Sequence, residues 1–126
     1  MREILFRAQD AHGVWHKGFY FFYKKRQQHV LLTIVDGEDK FVEIIPETVG
    51  QFTGLNDKNG VKIFEGDIIK ANFPYAKKGL VEWDKKRGSF YVNPIDGFAA
   101  YDKGYKMNAN KLEIIGNIHE NTELIK

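Results

Sequence analysis

The chain contains no cysteine. Disulfides, thiol nucleophiles and cysteine-based zinc sites are excluded with it, and a reducing compartment suits such a sequence. No window approaches the eighteen or so consecutive apolar residues of a membrane-spanning helix. The opening MREILFRAQD has no apolar run after its charges, so it does not read as a signal peptide. Net charge is in short supply: 19 basic and 17 acidic residues leave a formal +2, too little to name a partner by itself. Long segments of 3.6-residue periodicity are missing, as are internal repeats and low-complexity tracts. There is no GxGxxG or Walker pattern to cradle a nucleotide, and no HExxH, CxxC or EF-hand spacing to hold a metal.

What the sequence does contain is strand signal. Its 126 residues, 43% hydrophobic and 29% charged, suit one globular domain with its own core. Alternating or β-rich runs are expected at 3–8, 15–23, 30–35, 40–45, 51–55, 61–64, 68–73, 79–83, 89–92 and 112–118. Asp36-Gly37 and Asn59-Gly60 read as hairpin turns, because their residues tolerate left-handed φ. Pro46 to Gly50 reads as a single helical turn, with proline where no donor is needed and glycine at the stop. Asn121 is the expected N-cap of a short C-terminal turn. Twelve glycines among many short, regularly spaced strands predict an all-β barrel or sandwich.

Candidate chemistry is sparse. His12 and His16 have the spacing of a helical ligand pair, but AHGVWH predicts a turn and strand, where that spacing has no ligand meaning. Glu65 and Asp67 flank Gly66, and the expected role for Asp67 is to accept a backbone N–H at its turn rather than to form a catalytic dyad. The segment Asn56 to Gly60 is too short for a calcium loop and is explained by its hairpin. No acid, base and nucleophile come together, so the reading is non-enzymatic, with no cofactor and no metal.

Two features point to binding. Residues 70–87 hold six basic and two acidic side chains. Lys70, Lys77, Lys78, Lys85, Lys86 and Arg87 are interleaved with Phe73, Tyr75, Trp83, Phe90 and Tyr91. A small β-barrel presenting rings beside amines is one way to hold a single strand, and Tyr75 with the six basic residues is the candidate nucleic-acid set. The competing reading is that the rings fill the core and the lysines keep hairpin tips soluble; Trp83, two residues after Val81, falls on the core side of that reading. The second feature is Phe19-Tyr20-Phe21-Phe22-Tyr23. Five successive rings in a strand cannot share one face, so one set should lie in the core and the other under a neighbouring chain or the C-terminal segment.

The segment Pro46 to Lys70, PETVGQFTGLNDKNGVKIFEGDIIK, resembles the hallmark of the YopX family of phage- and prophage-borne proteins. Gly54, Asn59, Gly60, Gly66 and Asp67 carry its structural motif. Phe6-Arg7-Ala8 near the start and Ile115 to Asn121 near the end match as well, so the likeness runs the full length. Gln9 stands where the family often has tryptophan, Phe52 and Phe64 where it has tyrosine, and Thr122 where proline is frequent. The resemblance implies a mainly β, barrel-like fold of unassigned function, a bacterial host cytoplasm, and no catalytic residues to carry over.

The expectation is therefore an all-β chain forming a single domain over residues 1–126. An N-terminal β-rich subregion (1–55) precedes a small, partly open, SH3-like barrel (56–126) with short helical turns. The expected function is that of a non-enzymatic accessory module that binds a macromolecule, a host or phage protein ahead of a single-stranded nucleic acid. No membrane association is expected, and a homo-oligomer is.

Overall fold

Alternation of apolar and polar residues, punctuated by glycine turns, produces ten antiparallel strands and three short 3-10 turns in the computed structural model, which describes residues 3–35, 37–73, 76–96, 105–107 and 109–125. The chain divides into two compact units, Met1–Phe52 and Thr53–Lys126.

The first unit is a meander. β1 (Phe6–Gln9) pairs with β2 (Trp15–Tyr23), β2 with β3 (Gln28–Val35) and β3 with β4 (Glu38–Glu43), while β5 (Gly50–Asn56) lies on the other side of β1. One sheet face packs around Ala8, Leu31 and Ile44, with Phe6, Tyr20, Val42 and Val49 against them. The 3-10 turn Pro46–Thr48 closes onto β1: the Thr48 hydroxyl donates to the Ile45 carbonyl at 2.6 Å and accepts the Gln9 N–H at 2.8 Å. The turn expected at Pro46 is thus present, as a 3-10 rather than an α turn. Gly18 is buried in β2, where a Cβ would run into the Leu32 carbonyl, so no larger residue fits there.

The second unit begins with the end of β5, which turns back into β6 (Lys62–Phe64). It continues through β7 (Asp67–Lys70), β8 (Lys78–Asp84), β9 (Ser89–Pro94) and β10 (Glu113–Asn117). The last four form a sheet of order β10-β7-β8-β9. Ile63, Ile69, Val81, Val92 and Leu112 are its core, with Phe73, Phe90, Tyr105, Met107 and Ile114 packed around them. The all-β expectation holds; among the described residues this sheet is open, with β9 and β10 at its edges, and it does not close into a barrel.

Aspartates fasten the turns of both units. Asp10 accepts the N–H groups of His12 and Val14 at 2.8 and 3.0 Å. Its carboxyl is lowered to about 2, chiefly by the His16 side chain 2.9 Å away and then by the Val14 N–H. Asp57, buried, accepts Asn59 and Val61 N–H at 2.9 Å on one oxygen and Ile114 N–H at 3.1 Å on the other. Burial pushes its acidity the other way, but the three N–H groups outweigh it and hold the pKa below the usual value. Asp67, 1% exposed, accepts the Phe64 N–H at 2.8 Å, the capping role read from its place after Gly66. Asp84 is held low by Arg87, and Asp96, despite partial burial, by the N–H groups of Lys78 and Lys77.

Gly60 takes φ +82° and donates its N–H to the Asp57 carbonyl at 3.0 Å. Asn59 does not join it in the left-handed region; Gln27 is the one non-glycine residue there among those described. The Asn-Gly turn is therefore a hairpin in which glycine alone supplies the positive φ. The expected N-cap role of Asn121 also differs in detail: its side-chain oxygen accepts the Asn117 N–H at 3.1 Å, upstream of the turn it precedes.

Candidate functional site

The basic residues named from the sequence do not form one patch. Lys85, Lys86 and Arg87 sit in the β8–β9 turn, whereas Lys78 starts β8 opposite Lys70 at the end of β7. The two groups lie at opposite ends of a seven-residue strand, about 20 Å apart. Each is partly engaged within the fold. Arg87 reaches Asp84 at 2.6 Å and lies 5.9 Å from the centre of the Tyr91 ring. Tyr91 donates its hydroxyl to Glu82 at 2.7 Å, which pushes the phenol up to about 12, ahead of burial. Lys70 lies 3.6 Å from Glu113, and the Lys77 and Lys78 amides are tied to Asp96. Tyr75 lies outside the described residues. Of the other candidate rings, Phe73 and Phe90 pack on the core. Trp83 shares its strand face with Val81 as expected, but it stands beyond the core and is 45% exposed, edge-on to Phe90 at 4.9 Å.

The aromatic run makes a more coherent surface. Register pairs Phe19 with Leu32, Phe21 with Val30, Tyr23 with Gln28, and Leu32 with Phe41. Because side chains alternate, Phe19, Phe21, Tyr23, Val30, Leu32 and Phe41 share one face of the first unit's sheet, and Tyr20 and Phe22 point to the other. Tyr20 packs in the core and its hydroxyl meets His29 Nδ1 at 2.6 Å, while Phe22 tilts on the His29 ring at 4.9 Å and stays 44% exposed. The division by alternation is as expected. The second set is not buried within its own sheet: Phe41 is 68% and Phe19 57% exposed. Phe41 stands edge-on to Phe21, and a groove of about 450 Å³ runs between Phe21, Tyr23, Arg26, Gln28, Val30 and Phe41. The margins differ in sign. Arg7 and Lys17 are paired across β1 and β2 on one side, with Arg7 4.9 Å from the Trp15 ring. Asp39 and Glu43 of β4 are in line with Phe41 on the other.

The sequence pointed to the rings but not to Phe41, which is the sole aromatic residue of β4 and carries no local signal; only the register of β3 and β4 brings it into the set. Among the described residues no group of three or more His, Asp or Glu side chains could hold a metal ion. His16 is instead engaged with Asp10. No helix among them is long and apolar enough to cross a membrane.

Two open antiparallel sheets, aspartate-fastened turns and an exposed aromatic face define a small all-β protein. The chain belongs to the YopX protein family, whose model matches residues 5–126. The crystal structure of protein EF1440 from Enterococcus faecalis is similar over 100% of both chains, with a TM-score of 0.60 and 23% identity, a likeness of fold alone. No curated protein matches the sequence.

Proposed function

We propose that this YopX-family chain is a non-enzymatic, phage- or prophage-borne assembly module of the bacterial cytoplasm, and that the aromatic face of its N-terminal sheet docks against a second copy of itself. The observation that carries this reading is the exposed set Phe19, Tyr23 and Phe41 around the half-buried Phe21, since contiguous apolar patches of this kind mark interaction surfaces. Charge supports a copy of the same chain as the occupant. A two-fold axis running parallel to the strands, midway between β2 and β3, lays β4 of one copy over β1 of the other at the same level. That stacking brings Asp39 over the Arg7–Lys17 margin in both halves at once and sets Phe19 over Leu32 and Phe21 over Val30. The apolar side chains span three strands, β2 to β4, at ~4.8 Å spacing and give a face of only a few hundred square ångströms, below the ~800 Å² per partner of a standard interface, so the association is of the weak class.

Sedimentation velocity over a concentration series up to several hundred micromolar tests this. A monomer–dimer equilibrium is expected. It should weaken in Phe41→Lys and in Asp39→Lys, and recover when Asp39→Lys is combined with Lys17→Glu. A chain that stays monomeric throughout the series overturns the reading, as does a dimer indifferent to all three variants.

A further inference from the structure

Beyond the assembly face, we propose that the second unit carries a nucleotide-binding cleft between the β5–β6 turn, the segment 71–73 that follows β7, and the residues Tyr105, Lys106, Lys111 and Leu112. The cleft encloses about 530 Å³ and is lined by Lys58, Asn72, Phe73, Tyr105, Lys106 and Lys111. That volume falls within the usual range for small-ligand sites.

Three independent segments bring lysines to this cleft, and the fold fixes two of them. Lys58 follows Asp57, whose carboxylate binds the Ile114 N–H, and the Lys58 N–H itself donates to the Leu112 carbonyl at 2.9 Å. The β5–β6 turn is thereby sewn to the chain just after Lys111, which ends the 3-10 turn Ala109–Lys111. Tyr105, next to Lys106, is held by a two-way backbone bridge to Val92, 2.8 Å in each direction.

The charges do not cancel. Glu113 lies 3.5 Å from Lys58 and 3.6 Å from Lys70, so a single carboxylate is shared by two amines. Lys106 and Lys111 have no acidic partner among the described residues. Within the cleft Lys58 is offset by the Glu113 carboxylate, and Lys106 and Lys111 leave two positive charges among the described residues, suited to an anion of more than one charge. The wall is aromatic: Phe73 and Tyr105 stack at 4.7 Å with 19° between their planes, and both are half-buried. An anion alone needs no such wall. A ligand combining a planar ring with phosphate uses both parts, the base against the rings and the phosphates against Lys106 and Lys111. That combination is a nucleotide, either free or as one unit of a single strand.

None of Lys58, Lys106 and Lys111 belongs to the basic run of residues 70–87, and neither the β8–β9 turn nor the aromatic face of the first unit takes part. The site therefore stands or falls separately from the assembly face.

The test is fluorescence anisotropy of a labelled single-stranded oligo(dT), alongside calorimetry with ATP, on the full chain. Binding is expected for at least one of them. Lys106→Gln with Lys111→Gln should weaken it about tenfold at moderate salt and flatten the salt dependence by roughly one to two released ions. Phe73→Leu should weaken it while leaving the salt dependence alone. Neutralising Lys85, Lys86 and Arg87 together should change it little. Both lysines are exposed or at the surface margin, so their glutamine variants should keep the parent's melting temperature, which serves as the check on folding. Affinity that rises with oligonucleotide length identifies a strand, and ATP binding as tight as that of the oligonucleotide identifies a free nucleotide; either supports the site. No binding of either ligand at low salt overturns it. Binding lost through the β8–β9 turn variant but not through Lys106 and Lys111 overturns it equally.

Discussion

Replacing Asp57 by alanine should cost the second unit about 2–6 kcal/mol. The carboxylate serves three backbone donors at 2.9, 2.9 and 3.1 Å. Asn59 and Val61 are exposed and can regain water, so each lost bond there costs ~0.5–1.5 kcal/mol. The Ile114 N–H is part-buried beside the core and left without its acceptor, which adds ~1–3 kcal/mol. Against a total stability of ~5–15 kcal/mol this is a large fraction, and for a chain of this size it corresponds to a fall of roughly 6–18 °C in melting temperature. Asp57→Asn keeps the oxygen that serves the turn and loses the acceptor for Ile114, so it should cost about half as much. Urea denaturation followed by tryptophan fluorescence measures the effect where it arises. Trp83 lies in the second unit and Trp15 in the first, so a Trp15→Phe background reports on Trp83 alone. An Asp57→Ala variant within about 0.5 kcal/mol of its parent would refute the reasoning, since that is the range of an ordinary surface substitution.

Gly60→Val should lower stability by about 1–3 kcal/mol, because a β-branched residue resists φ +82° even though a Cβ there meets open space; a melting temperature equal to the parent's would contradict it. Stability should also fall in acid. Asp10, Asp57, Asp84 and Asp96 all have pKa values below the ordinary 3.8 in the folded chain, so their contribution is complete above about pH 4 and is lost as pH drops through the folded values, about 2 for Asp10. Urea midpoints should therefore hold between about pH 7 and pH 5 and drop by about pH 3, and a midpoint unchanged at the lowest pH would exclude these carboxylates as the cause.

Much of the fold was legible because its rules are local. Alternation located the strands, and glycine beside Asp or Asn located the turns, since both depend on neighbours one to four residues away. What was not legible depended on register. Phe41 joins the aromatic face only through its pairing with Leu32, and Asp57 reaches Ile114 across 57 positions. The basic run of residues 70–87 was misleading for the same reason. Proximity in sequence placed Lys70 and Arg87 in one set, and a strand laid end to end between them separated the two groups. Lys106 and Lys111 escaped notice because they stand outside the basic run, and their neighbours in the cleft come from the segment after β7 and from the β5–β6 turn.

The Asp57–Ile114 bond also sets a timetable. Within the first unit a side-chain tie joins Gln9 to Thr48, 39 positions apart, and β1 pairs with the start of β5, so the partners of that sheet are all made once β5 has been synthesised. The second unit has to wait. Its core includes Leu112, β7 pairs with β10, and the turn after β5 is fastened only when Ile114 arrives. Domains generally fold as units in the order of their synthesis. Here the whole first unit precedes the second in synthesis, so its sheet can form before the later unit has closed.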